Sequence, residues 1–184
     1  MVDILKIRQG GLVFYGGFIG ATLCAIFYVR KNKIPIWKMA DALAPSIALG
    51  HAFGRLGCLM TGCCYGKACS LPWSITFPRD HVTHPIAVHP TQLYESFFNF
   101  ALFAGLAWIY RKKKFDGQVF ALYLMAYAFL RAVNELFRGD YEPSKHLGIL
   151  TPGQLTGILI MSAGIAMWFF CSSQIRKEKL QTQE

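Results

Sequence analysis

HAFGRLGCLMTGCCYG, residues 51–66, carries an arginine, Arg55, in the middle of an otherwise apolar run. A charged side chain at the centre of a bilayer costs about 2.5–3.5 kcal/mol on insertion scales, so an arginine kept there implies an anion that needs it. Composition makes the membrane setting the natural one. Of 184 residues, 54% are hydrophobic and 16% charged, against about 25% charged in an ordinary soluble domain. The net charge is +9. The basic residues nevertheless form short runs at the edges of apolar segments rather than a stripe along one polar face, which argues against a nucleic-acid partner.

Five segments approach the roughly 20 mostly apolar residues that crossing a bilayer requires: residues 11–29, 40–60, 93–110, 118–137 and 153–171. The second contains Asp41, His51 and Arg55, with Pro45 as a potential kink, and the fourth meets Arg131 and Glu135 in its last third. For these two the alternative is a buried or re-entrant helix. The expected fold is all-α, a polytopic membrane helix bundle of about five spans with a polar outer loop region, residues 1–184 forming one integral membrane domain.

Charge orients the bundle. Arg30, Lys31, Lys33 and Lys38 follow the first segment, Arg111, Lys112, Lys113 and Lys114 the third, and Arg176, Lys177 and Lys179 the fifth. Residues 61–92 hold only Lys67 and Arg79, and residues 138–152 only Arg138 and Lys145. The positive-inside rule therefore places the C-terminus in the cytoplasm and Met1 outside. No signal-peptide pattern precedes the first segment, and Lys6 and Arg8 sit on the disfavoured side, so upstream spans are expected to be lacking.

Ionisable residues inside spans are functional candidates. His51 and Arg55 are four apart and share a helix face, thinned by Gly50, Gly54 and Gly57 for close approach of a helix or a ligand. Tyr123, Tyr127, Arg131, Glu135 and Arg138 form a second stripe, at spacings of four, four, four and three. Two arginines on different spans suit a phosphate, whose oxygens accept paired guanidinium donors. The plainer alternative is internal ion pairing, Arg55 with Asp41 or Glu95 and Arg131 with Glu135.

HPIAVHPTQLYE, residues 84–95, gathers His84, His89, Thr91, Gln92, Tyr94 and Glu95 at the outer mouth of the third segment. It reads either as a functional loop or as an ordinary turn with Thr91 capping the next helix. Cys58, Cys63, Cys64 and Cys69 cluster nearby, while Cys24 and Cys171 stand alone. Their Cx4CCx4C spacing matches neither paired CxxC zinc sites nor an iron–sulfur run. Disulfides or small-residue packing rank above a metal, and no metal or cofactor is expected.

These residues carry a resemblance. HAFGRLGCLMTGCCYG is similar to the GRxGNFxNxExxG signature of prolipoprotein diacylglyceryl transferases. FYGGFIG at 14–20 resembles the HGGLIG element of that family, HPTQLYE at 89–95 its HPSQLYE, and YAFLRAVNELFR at 127–138 its YxxxRxxxExxR stretch. Pro152, Gly153 and Gln154 resemble the opening of its last span. Members usually have seven spans, so the resemblance implies that the first two are absent here.

The resemblance implies a bacterial inner-membrane transferase that moves the diacylglyceryl group of phosphatidylglycerol onto the lipobox cysteine in a prolipoprotein signal peptide. The implied catalytic residues are Arg55, Arg131, Tyr127, His51 and His89. The headgroup would meet Arg55, Tyr15, Gly16, Gly17, Gly54, Gly57, Gln92, Tyr94, Glu135 and Arg138, with membrane lipid and the signal peptide as partners. The nucleophile belongs to the substrate, so the enzyme supplies a base or a field favouring the thiolate. Departures from the signature fall on that function. Tyr15 replaces the histidine before the glycine pair, with His51 or His89 as substitute bases; Cys58 and Thr61 replace two asparagines and Cys63 a glutamate. A non-catalytic phospholipid-binding or transport-like protein is the alternative.

Overall fold

A computed structural model describes the backbone of residues 11–139 and 152–181, and the side chains of residues 19–139 and 154–174. Five helices follow in order: α1 (Gly11–Lys31), α2 (Ile36–Thr61), α3 (Thr91–Tyr110), α4 (Gln118–Phe137) and α5 (Pro152–Gln181). The described residues contain no strand, only isolated bridges pairing Gly66 with Arg138 and Val88 with Ala68 and Ile75. The helical class matches the expectation. Of the helices, Gln118–Phe137 and Gln154–Gln174 are long and apolar enough to cross a membrane.

The chain divides into two compact units, Met1–Met39 and Ala40–Glu184. In the first, α1 stops because Lys33 turns left-handed, with φ 54°. Ile34 N–H then donates to the Val29 carbonyl at 3.0 Å and Lys33 N–H to that of Arg30 at 3.3 Å. This satisfies carbonyls the helix end would otherwise strand, and Pro35 follows. Arg30 and Lys31 lie in the last turn, where cations complement the helix dipole.

In the second unit α4 packs against α3 and α5. Ala44, Ala48 and Ala52 repeat every four residues along α2 and are fully buried. Such small side chains let backbones approach. Ala44 and Ala48 form the core with Leu106 of α3 and Val119 and Tyr123 of α4, and Ser96 of α3 donates to the Ala52 carbonyl at 2.9 Å. At Gly164 of α5 a Cβ would come within 2.9 Å of Met125, so contact with α4 needs a glycine there. Helix α2 runs unbroken through Pro45.

Asp41 fixes one end of this unit. It is fully buried, and its carboxylate accepts from the backbone N–H groups of Gly117 and Phe120, both at 2.9 Å, and pairs with Lys113 at 3.0 Å. The start of α4 is thus capped by a side chain from another helix, replacing the local cap that Gly117 cannot supply. Burial opposes the charge on Lys113, but hydrogen bonds to Asp116 and Asp41 outweigh it and raise its pKa. Asp41 is therefore not the partner of Arg55. Fourteen residues of helix separate the two, about 21 Å along the axis.

Candidate active site

The opposite end of the unit gathers charge around Glu95, which enters from the first turns of α3 and is 5% exposed. Arg55 of α2 reaches Glu95 Oε1 through Nη2 at 2.9 Å, and Arg131 of α4 approaches the same oxygen at 3.6 Å. Asn134 Nδ2 donates to Glu95 Oε2 at 2.8 Å. Glu135 lies 3.6 Å from Arg131 and 4.0 Å from Arg138, both on its own helix side. Among the described residues, three guanidiniums thus meet two carboxylates.

The ion pairing anticipated as the plainer alternative is present, and it is also what brings the two arginines together. One carboxylate oxygen holds guanidiniums from two helices that no local spacing connects. Both arginines keep about a sixth of their side-chain surface open, 18% for Arg55 and 17% for Arg131. An anion arriving from the open side can therefore meet both.

Beside them His51 stacks on Tyr127, ring centroids 4.9 Å apart, and Tyr127 on Tyr123 at 5.8 Å. Tyr123 Oη lies 3.5 Å from His51 Nδ1. The face carrying Gly50, Gly54 and Gly57 is open: a Cβ at any of them would meet no described atom within 4 Å. Among the described residues no helix uses the room these glycines leave.

The HPTQLYE stretch divides its labour. Thr91 does not cap α3; its hydroxyl donates to the Cys64 carbonyl at 2.7 Å, and Gln92 Nε2 to that of Cys63 at 2.7 Å. Both residues are about 1% exposed. Gln92 is thereby committed to the 62–64 turn, where Gly62 and Cys64 take left-handed φ of 73° and 62°. Gly66 fits only without a side chain, because a Cβ would lie 2.5 Å from that of His89 and 2.9 Å from the Phe137 carbonyl. His89 Nδ1 lies within hydrogen-bond distance of Tyr94 Oη, at 3.3 Å, while Tyr94 Oη accepts from Trp73 Nε1 at 2.8 Å. His89 and Asn134 both line an apolar groove of about 660 Å³ with Trp73, Leu93, Phe97 and Phe137. Ligand pockets fall in this size range.

All six cysteines are free thiols. The sulfurs of Cys58, Cys63 and Cys64 lie within 4.8 Å of one another, and Cys69 is not in the group. Burial opposes ionisation of Cys63, but hydrogen bonds from Thr61 and the neighbouring thiols outweigh it and lower its pKa.

The structure therefore assembles Arg55, Arg131, Glu135, Arg138, Tyr127 and His51 around Glu95, and sets His89 and Tyr94 on the groove. Tyr15, Gly16 and Gly17 lie on α1 outside the residues whose side chains are described. The sequence marks Glu95 as a candidate ion-pair partner but not as the organising group, and the one participant it misses is Asn134, between Arg131 and Glu135, although an amide in an apolar span is a usable signal.

Comparison with known proteins follows this geometry. The profile of the prolipoprotein diacylglyceryl transferase family matches residues 1–170. Phosphatidylglycerol–prolipoprotein diacylglyceryl transferase of Clostridium tetani is 37% identical over 177 residues, covering 96% of this chain and 70% of that protein. The Finegoldia magna protein of the same name is 38% identical over 176 residues, with 95% and 67% covered. Phosphatidylglycerol–prolipoprotein diacylglyceryl transferase 2 of Clostridium perfringens is 36% identical over 169 residues, with 91% and 65% covered. The chain spans about two thirds of the length of these relatives, and by this extent of match it belongs to the prolipoprotein diacylglyceryl transferase family.

Proposed function

We propose that this chain transfers the diacylglyceryl group of phosphatidylglycerol to the lipobox cysteine thiol of prolipoproteins, the first step of bacterial lipoprotein maturation. The observation that carries the reading is the convergence of Arg55 and Arg131, from two helices, on Glu95. In the reaction the lipobox sulfur loses its proton and bonds to the glyceryl carbon. The bond from that carbon to the phosphate oxygen breaks, and glycerol phosphate leaves with the electron pair. Arg55 and Arg131 hold the phosphate, and their charge stabilises the oxygen as it departs. Arg138 and Glu135 set the position of Arg131, and His51, stacked on Tyr127, stands beside the headgroup as a proton acceptor.

The open glycine face of α2, with Gly54 and Gly57, gives the headgroup its approach. The groove ending at His89, Tyr94 and Asn134 takes an acyl chain or the apolar part of the signal peptide. The chain forms one integral membrane domain of five spans in the bacterial inner membrane, with the C-terminus cytoplasmic and residues 61–92 outside. The relatives' names give no support to a non-catalytic lipid-binding alternative.

The test supplies the purified protein with phosphatidylglycerol and a lipobox peptide, and looks by mass spectrometry for the diacylglyceryl thioether and for released glycerol phosphate. Both are expected in equal amounts. A peptide that stays unmodified while the lipid stays bound would overturn transfer.

A further inference from the structure

Cys58, Cys63 and Cys64 are not consumed by the proposed chemistry, yet they form the densest set of nucleophilic atoms among the described residues. Their sulfurs lie within 4.8 Å of one another. A tetrahedral ion with metal–sulfur distances of about 2.3 Å places its sulfurs about 3.8 Å apart, so the set is at most about 1 Å wider than such an ion requires.

The backbone beneath them is held from a distance. Cys58 stands on the last turn of α2. Cys63 and Cys64 follow the left-handed Gly62, and Cys64 is itself left-handed, a conformation that non-glycine residues keep only where the surroundings impose it. Here Gln92 and Thr91 of α3 bind the Cys63 and Cys64 carbonyls, and His81 Nε2 donates to the Gly62 carbonyl at 2.8 Å. The other ring nitrogen of His81 accepts from Thr83 N–H at 3.2 Å, so His81 has no nitrogen left for an ion.

The group is open to solvent: Cys63 is exposed and the other two partly so. Three protein ligands and one open position is the pattern of reactive rather than structural zinc sites.

We propose that Cys58, Cys63 and Cys64 bind one thiophilic d10 ion, Zn(II) or Cu(I), and that its open position takes the substrate cysteine as a fourth thiolate. The second half of this rests on the transferase reading above. A thiol bound to such an ion gives up its proton readily, to His51 or to solvent, and stays nucleophilic. Its sulfur then attacks the glyceryl carbon beside Arg55, the carbon–oxygen bond breaks, and glycerol phosphate departs with the electron pair. The product thioether is a weaker ligand and leaves the ion. This assigns the thiol activation that Tyr15 is poorly suited to provide, since a phenol with its usual pKa of about 10 is a weak base at neutral pH.

The test purifies the full chain in detergent under reducing, metal-free conditions and adds Zn(II), Cu(I) or Co(II). One tightly held ion per chain is expected, with a sulfur-to-cobalt charge-transfer band for Co(II); whichever of zinc and copper is retained identifies the ion. Cys58→Ser, Cys63→Ser and Cys64→Ser should each abolish retention, while Cys69→Ser should not. As a check independent of those variants, bound ion should shield the three thiols of the unaltered protein from alkylation. Adding a lipobox peptide should raise the charge-transfer intensity by about one third, as a fourth thiolate joins three, and the same peptide with serine for cysteine should not. No retained ion, retention untouched by the three substitutions, or a disulfide within the trio would overturn the site. An ion blind to the peptide would overturn its role in activation. Thioether formed by ion-free protein would also sink that role and leave the transferase reading standing, whereas a trio-bound ion with no product in any condition would support the site and sink that reading.

Discussion

Glu95 and Arg55 bind each other in a setting where neither is comfortable alone. A charge pair removed from water gains stability only while both members are present, and deleting one partner typically costs about 3–5 kcal/mol. Glu95→Gln should therefore lower thermal stability in detergent by about that amount, since Arg55, Arg131 and Asn134 all converge on its carboxylate. The same substitution should tighten retention of anionic lipid, because the carboxylate competes with phosphate for the same guanidiniums. Lipid retention that falls together with stability would show that the pair is structural only. Arg55→Lys separates charge from geometry. Lysine keeps the charge but not the paired planar donors, so transfer should fall about 10- to 100-fold while anionic lipid still binds. Equal turnover by the lysine variant would refute a bidentate hold on phosphate. Both arginines were legible in sequence because a charge amid apolar residues is conspicuous; their meeting point was not. It depends on which of Asp41 and Glu95 the fold brings to Arg55, and helix-face spacing carries no information across helices.

The apolar runs marked the helices well, and α4 spans the expected residues 118–137. What the runs could not show were the contacts made where helices begin. Asp41 looked like an expensive charge in a weak span, and Thr91 like a local cap. In the structure Asp41 caps α4 across the bundle, and Thr91 with Gln92 secures the turn that displays Cys63 and Cys64. Both are long-range hydrogen bonds of side chains to backbone, and neither leaves a trace in periodicity. Asp41→Ala removes two hydrogen bonds to the start of α4 and strands the Lys113 ammonium. A loss of about 2–4 kcal/mol is expected, together with faster amide exchange confined to the first turn of α4. Exchange that quickens evenly over all helices would mean that Asp41 holds no particular end in place. Spacing alone ranks the cysteine run as disulfide or packing rather than metal site. The turn at Gly62 and Cys64 folds that spacing back on α2, which is why three thiols meet where no familiar motif was written.

At the scale of the whole molecule, every helix displays large apolar side chains to its surroundings. Phe27 of α1 is 69% exposed, Phe53 of α2 59%, Phe97 of α3 69%, Phe129 of α4 60% and Phe169 of α5 68%. Water would penalise that surface heavily, whereas hydrocarbon accommodates it. Among the described residues two helices are long and apolar enough to cross a membrane; Asp41 and Arg55 in α2 and Glu95 in α3 make α2 and α3 more polar without changing what their outer faces present. Arg111, Lys112, Lys113 and Lys114 end α3 on the side that holds Asp41, and the Glu95 cluster, the cysteine turn and the groove lie at the other end of that helix. If the dense positive charge marks the cytoplasm, the whole candidate site opens outward, where an exported signal peptide would meet it. Alkaline phosphatase, which is active only after export, should therefore be active when fused after Arg79 and silent when fused after Lys113 or at the C-terminus. An active C-terminal fusion would reverse the bundle and put the site on the cytoplasmic side, where the acceptor cysteine of an exported prolipoprotein would be out of reach.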